Sequence, residues 1–195
     1  AMYFPQIANV RNPRLLQSMI GYLKQHPQVE FIEHCPIEQF NIVNGKVQSI
    51  RSQNKQTYFA DQFVITTGAW SKHWSEQLDL DIPVQPVQGQ MVLFKTPENW
   101  LPTMCMNNVM YLIPRLDGHV VCGSSMANCG FDTTPTAATK QTILEACFEM
   151  VPELAAFPIV KQWAGLRPSS PTGVPYIGKM PELDNVWANF GHFRN

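Results

Sequence analysis

Met110-Tyr111-Leu112-Ile113-Pro114-Arg115-Leu116-Asp117-Gly118-His119-Val120-Val121-Cys122-Gly123-Ser124-Ser125 is the stretch that decides the fold class. Two strand-like runs, Met110–Arg115 and His119–Ser125, flank Asp117-Gly118, a pair that closes hairpins because glycine accepts left-handed backbone without a steric penalty. Val87–Phe94 upstream and Ile159–Leu166 downstream have the same strand-like character. Between them Ala137–Val151 fits a helix, with Ile143, Leu144, Cys147, Met150 and Val151 on its apolar side. The expectation is a mostly antiparallel sheet with a helix beside it.

Before Pro83 and Pro86 the texture differs. Asn12 is placed to cap a first helix and Pro13 suits its first turn. Leu15, Leu16, Met19, Ile20 and Leu23 form an apolar stripe that Pro27 ends. Val29–Cys35 reads as a strand, followed by a meander of Ile37–Val43, the Asn44-Gly45 turn, Lys46–Ser52 and Gln56–Ala60. Phe63–Thr67 is a short apolar run ending on Gly68, as strands in a covered sheet do, and Ala69–Leu78 fits a short helix. After the loop Pro168–Pro175, Val186–Phe190 is a last strand running into Gly191. Residues 1–82 and 164–195 therefore read as one unit, with 83–163 inserted as a second. The fold class expected is α+β.

Composition narrows the function. With 45% hydrophobic and 15% charged residues the 195-residue chain can bury a core. Its net charge is -1 and it has no block of like charges, which argues against nucleic acid or an anionic membrane as partner. The longest apolar runs are far short of a membrane span. No secretory signal opens the chain, and Ala1-Met2 reads as an internal cut. Cys35, Cys105, Cys122, Cys129 and Cys147 are odd in number and show no C-x-x-C spacing. That pattern fits reduced thiols in a cytoplasmic protein rather than a zinc site or a disulfide framework. His26, His34, His73 and His119 show no metal-ligand spacing, and Glu145, Glu149 and Glu153 read as a solvated helix face. No metal is expected.

Three places hold residues suited to chemistry. Arg167, in Trp163-Ala164-Gly165-Leu166-Arg167-Pro168, offers a planar fork that can take a carboxylate through two parallel hydrogen bonds, or can pair with a local carboxylate. Tyr111 and Ile113 alternate to one face of their strand, Met110 and Leu112 to the other. The Tyr111 hydroxyl needs a partner, either a ligand or a structural group. Gly191-His192-Phe193-Arg194-Asn195 follows a strand end, where loop amides can meet a polar ligand. Met126, past the strand ending at Ser125, reads locally as loop or core packing. No G-x-G occurs among the eleven glycines, so the dinucleotide fingerprint and its phosphate cradle are absent from this stretch.

Val64-Ile65-Thr66-Thr67-Gly68-Ala69-Trp70-Ser71, Tyr111–Arg115, Trp163–Pro168, Pro175-Tyr176-Ile177-Gly178 and Gly191–Asn195 together resemble, in order and spacing, the glycine oxidases of the D-amino-acid-oxidase-like flavoproteins. The similarity covers essentially the whole chain. It implies an FAD-binding unit around residues 1–82 and 164–195 and a substrate unit at 83–163. It also implies oxidation of glycine, or of other small amines and D-amino acids, to an imine with hydrogen peroxide released, an activity that can feed thiamine biosynthesis. By the same resemblance Arg167 clamps the substrate carboxylate, with Tyr111 and Arg194 beside it and Met126 near the pocket wall. The cofactor would meet the backbone of Ile37, the strand end Thr67-Gly68, and Gly191, His192, Phe193, Arg194 and Asn195.

The departures from that family lie at the ends: the N-terminal strand, the glycine-rich turn with its ribose-binding acidic residue, and the C-terminal helix. The expectation is that FAD belongs to the longer protein and is not held by this stretch alone, which would be inactive. Surface that faced the missing parts would favour association into a homo-oligomer. A sarcosine or D-amino-acid oxidase or dehydrogenase, the flavin domain of a tRNA-modifying enzyme, and a non-catalytic small-molecule-binding module remain as alternatives.

Overall fold

Leu116-Asp117-Gly118 closes the central hairpin: Gly118 takes φ +70° and its N–H reaches the Arg115 carbonyl at 3.1 Å. A computed structural model describes residues 2–6 and 8–193, so Arg194 and Asn195 lie outside the described residues. The hairpin strands are β7 (Tyr111–Arg115) and β8 (His119–Gly123). The earlier elements are α1 (Asn12–Leu23), β1 (Ile37–Val43), β2 (Lys46–Ser52), β3 (Thr57–Tyr58), β4 (Phe63–Ile65), α2 (Ser75–Leu78), β5 (Gln85–Lys95) and β6 (Cys105–Met106). After the hairpin come α3 (Ala137–Met150), β9 (Ile159–Ser169), β10 (Tyr176–Lys179) and β11 (Val186–Phe190). The class is α+β.

Five strands in the order β6-β7-β8-β5-β9 form a fully antiparallel sheet. Alternation gives it two unlike faces. Val92, Phe94, Leu112, Val120 and Cys122 point one way and pack with Ile143 and Cys147 of α3 and with Leu154. Val87, Gly89 and Met91 of β5, Arg167 of β9, Tyr111 of β7 and Gly123 of β8 point the other way, as the register requires. Gln90 is 2% exposed on the helix side, where its side chain donates to Gln88 and accepts from the Thr136 N–H and from Gln162. Thr136 in turn caps α3 through the Thr139 N–H.

Two further three-stranded sheets stand outside this unit. One is the meander β1-β2-β3, closed by Asn44 (φ +49°) and Gly45 (φ +71°) in the left-handed pair that the Asn-Gly signal predicts. The other is β10-β11-β4, in which β11 and β4 run parallel. Asn185 joins them: its side chain accepts from the Val47 N–H at 2.9 Å and donates to the Val47 carbonyl at 2.8 Å. Phe63, Ile65, Trp74, Leu78, Val186 and Phe190 fill the core beneath. A 3-10 segment, Gly68–Trp74, follows β4 and packs against β5 and β9, so it links this core to the five-stranded sheet.

Four expectations need correction. Val29–Cys35 forms no strand; among the described residues it has no strand to pair with, and Val29, Phe31 and Ile32 are exposed. Asn12 does not cap α1 but begins it. Arg11 holds the cap position, with no side-chain cap bond. The apolar stripe of α1 is exposed rather than buried: Leu15, Leu16 and Met19 all face solvent. The passage out of the five-stranded sheet does not fall at residue 164. β9 stays paired to β5 from Phe94↔Ile159 through Gln85↔Ser169, so Arg167 belongs to that sheet. Pro168 interrupts nothing because β9 is an edge strand, where a missing N–H is tolerated.

An ionic clasp anchors the start of α1 to the hairpin. Arg11 Nη1 donates to Asp117 at 2.8 Å, and His119 Nδ1 lies 2.9 Å from the other Asp117 oxygen. The His119 hydrogen bond, then that of Arg11, draws the Asp117 carboxyl down from its ordinary 3.8 to about 2. A depressed carboxyl stabilises the fold above its unfolded value and loses that contribution as pH falls toward the folded one. Thermal stability should therefore begin to drop below about pH 4 and lose this contribution by about pH 2, and Asp117→Asn should remove part of that drop. Identical pH profiles for the two proteins in thermal melts would contradict the clasp.

Candidate active site

On the face of the five-stranded sheet opposite α3, a cavity of about 780 Å³ opens against the end of β11. Tyr111, Met126, Arg167, His192 and Phe193 line it together with Met106, Asn107, Asn108, Val109, Ser124, Leu166 and Asn12. Five residues singled out from sequence thus meet in one place, although they come from β7, β9 and two separate loops.

Arg167 reaches the cavity by an unusual route. Its side chain leaves edge strand β9, crosses β5 directly over Gly89, and ends at the residues that follow β8. There Nη1 donates to the Ser125 carbonyl at 3.2 Å and Nη2 donates to the Ser124 hydroxyl. Two of its five N–H groups are so committed, and three have no hydrogen-bond partner among the described residues. Among the described residues no carboxylate pairs with Arg167, and no Asp or Glu lines the cavity. A half-buried guanidinium with donors to spare, on a wall free of acid groups among the described residues, is suited by charge and geometry to take a carboxylate.

Tyr111 is held in a similar way. Met91 on β5 passes over Gly123 of β8, and its sulfur accepts the Tyr111 hydroxyl at 3.3 Å. A thioether is a weak acceptor, so a ligand oxygen would compete well for that proton. Met126 is 61% exposed and lines the cavity, which corrects its local reading as packing.

The strand-end residues are positioned by the second sheet. β4 and β11 are parallel neighbours, in register from Val186↔Phe63 to Ala188↔Ile65, so Thr67-Gly68 and Gly191-His192 extend from the same edge of that sheet. Carboxyl ends of parallel strands are where open α/β sheets bind ligands. Gly191 has φ +82° and a Cβ there would lie 3.2 Å from the Tyr176 ring, so any other residue in this turn is strained. Thr67 shares a 3.1 Å hydrogen bond with Ser71, whose hydroxyl donates to the Gly68 carbonyl, fixing this turn locally. His192 Nε2 lies 2.7 Å from the Asn189 side-chain oxygen. Ile37, by contrast, opens β1 in the meander and packs on the core; it does not line the cavity.

Asn12, Met106, Asn107 and Ser124 line the cavity without any local signal that singles them out. Asn107 shapes the wall by accepting from the Val109 and Met110 N–H groups at 2.8 and 2.7 Å. Among the described residues no cluster of potential metal ligands exists, and no helix is long and apolar enough to cross a membrane.

The chain is similar in sequence and fold to proteins of known family. The glycine oxidase of Pseudomonas putida is 43% identical over 195 residues, which are all of this chain and 53% of that protein. The crystal structure of glycine oxidase from Bacillus cereus superposes with a TM-score of 0.80 at 27% identity, covering 86% of this chain and 46% of the other. That of Geobacillus kaustophilus glycine oxidase gives 0.75 at 27% identity, covering 82% and 43%. The chain spans about half the length of the curated relatives it matches. The FAD dependent oxidoreductase (DAO) family profile matches residues 1–195, and the chain belongs to that family.

Proposed function

We propose that this chain forms the substrate-side half of an FAD-dependent oxidase of glycine or a similarly small amino acid. The observation that carries the reading is Arg167: a cation on the cavity wall with three uncommitted donors and no protein carboxylate among the described residues. Relatives named glycine oxidase support the substrate class.

The residues present fit one end of the cofactor. His192 and Phe193, which line the cavity, would border the flavin ring, with Thr67-Gly68 and Gly191 at the neighbouring parallel strand ends as further cofactor contacts. The pyrophosphate cradle is not among these residues, since the sequence holds no G-x-G. When bound, FAD would supply the two-electron oxidation of amine to imine, with oxygen as final acceptor reduced to hydrogen peroxide.

The chain's own residues supply position rather than acid–base chemistry. Arg167 would grip both carboxylate oxygens, and the Tyr111 hydroxyl would turn from Met91 to one of them. Such a two-point hold fixes which way Cα–H faces, and holding reactants in register contributes much of the rate in reactions of this kind. No acidic group lines the cavity among the described residues, so nothing there favours a charged ammonium over the neutral amine that reacts. Arg194 and Asn195 belong to this proposal by resemblance only.

The test is oxygen uptake and peroxide release by the flavin-loaded enzyme with glycine, sarcosine and D-alanine. Turnover with at least one of them is expected, with imine-derived aldehyde or keto acid formed one-for-one with peroxide. An enzyme inert to all three, yet active on amines without a carboxylate, would overturn the reading.

A further inference from the structure

We infer that Gly89 and Ser124 are positioning residues for carboxylate recognition: Gly89 opens the lane through which Arg167 crosses β5, and Ser124 fixes where the guanidinium stops. The inference rests on Arg167 being the carboxylate clamp, as proposed above.

The geometry is specific. Gly89 sits on β5 opposite Gly165 of β9, two residues from the Val87↔Arg167 pair and on the same face. A Cβ built on Gly89 would stand 2.1 Å from Arg167 Nη1 and 2.4 Å from both Cζ and Nη2. No alanine fits with the guanidinium where it lies. The obstacle is the end of a long side chain, not backbone, so an added methyl displaces the arginine and spares the sheet. Gly89 lies in regular strand without positive φ, so its lack of a side chain answers to the crossing and not to the backbone. Beyond the lane, the Ser124 hydroxyl and the Ser125 carbonyl take one Nη each. Ser125 is held in turn, its hydroxyl accepting from the Gln90 N–H at 2.9 Å. Without Ser124 the guanidinium keeps one of its two anchors and swings.

The experiment uses the flavin-loaded enzyme with two readouts: Kd for glycolate, followed by the flavin spectrum, and Tm. Gly89→Ala should weaken glycolate binding by about 100-fold, the scale of an ångström-level misplacement, with flavin content and Tm close to wild type. Ser124→Ala should weaken it about tenfold, with Ser124→Thr restoring most of the loss. If Gly89 acts through Arg167, Gly89→Ala added to Arg167→Ala costs nothing more. Unchanged glycolate binding in Gly89→Ala, or fully additive losses in the double variant, would overturn the inference. If Arg167→Ala itself binds glycolate normally, it is the proposed clamp that fails, so the two failures are told apart.

Discussion

Arg167→Ala should weaken the binding of glycine or glycolate by about 2–5 kcal/mol, the range for truncating one partner of a desolvated charge pair. The size follows from what surrounds the site. No other Lys or Arg lines the cavity among the described residues, where the nearest proposed partner, Tyr111, offers only a neutral hydroxyl. Arg167→Lys should recover little. An ammonium presents a point charge, and the bidentate grip depends on a planar fork whose other N–H groups are already tied to Ser124 and Ser125. Measured kcat/KM for glycine should fall in parallel, since a carboxylate that is not held leaves Cα–H unaimed. Affinity equal to wild type in Arg167→Ala would remove the residue from the site.

A second large effect concerns the cofactor. The 195-residue chain by itself should retain no FAD after gel filtration, because its proposed flavin-ring neighbours come without a glycine-rich G-x-G turn at a helix N-terminus. Each charge-assisted hydrogen bond to a pyrophosphate is worth about 1.5–3 kcal/mol. Losing several of them would carry a nanomolar site, about -12 kcal/mol, toward the millimolar range near about -4 kcal/mol. Mixing the chain with excess FAD, desalting and recording the visible spectrum checks this. Flavin absorbance close to one equivalent would show that the strand-end residues hold the cofactor unaided.

Much of the architecture was legible because local signals agreed. Asn44-Gly45 and Asp117-Gly118 announced their hairpins, and the alternation in Met110–Arg115 put Met110 and Leu112 against α3 and Tyr111 on the open face. Local signals failed where a partner decides the outcome. Val29–Cys35 has strand-like residues but nothing to pair with among the described residues, and the apolar stripe of α1 has nothing to cover it there. The two-residue β6 and the Gly-containing β10 are too short, or too interrupted, to stand out in a sequence.

The site divides along the same line. Arg167 and Tyr111 were visible as residue types in strand context, and the resemblance named Met126. The roles of Gly89 and Gly123 were not visible. A glycine that makes room for a side chain from one strand to reach past another shows its purpose only once the register Val87↔Arg167 or Met91↔Gly123 is known. Ser124 escaped for the same reason: it lies 43 residues from Arg167 along the chain.

The most direct measurement is the crystal structure of the flavin-loaded enzyme with glycolate bound. The account predicts the glycolate carboxylate about 2.7–3.0 Å from Arg167 nitrogen atoms, with the Tyr111 hydroxyl turned from Met91 onto it and Ser124 still holding Nη2. Glycolate bound elsewhere, with Arg167 making only its Ser124 and Ser125 contacts, would contradict it.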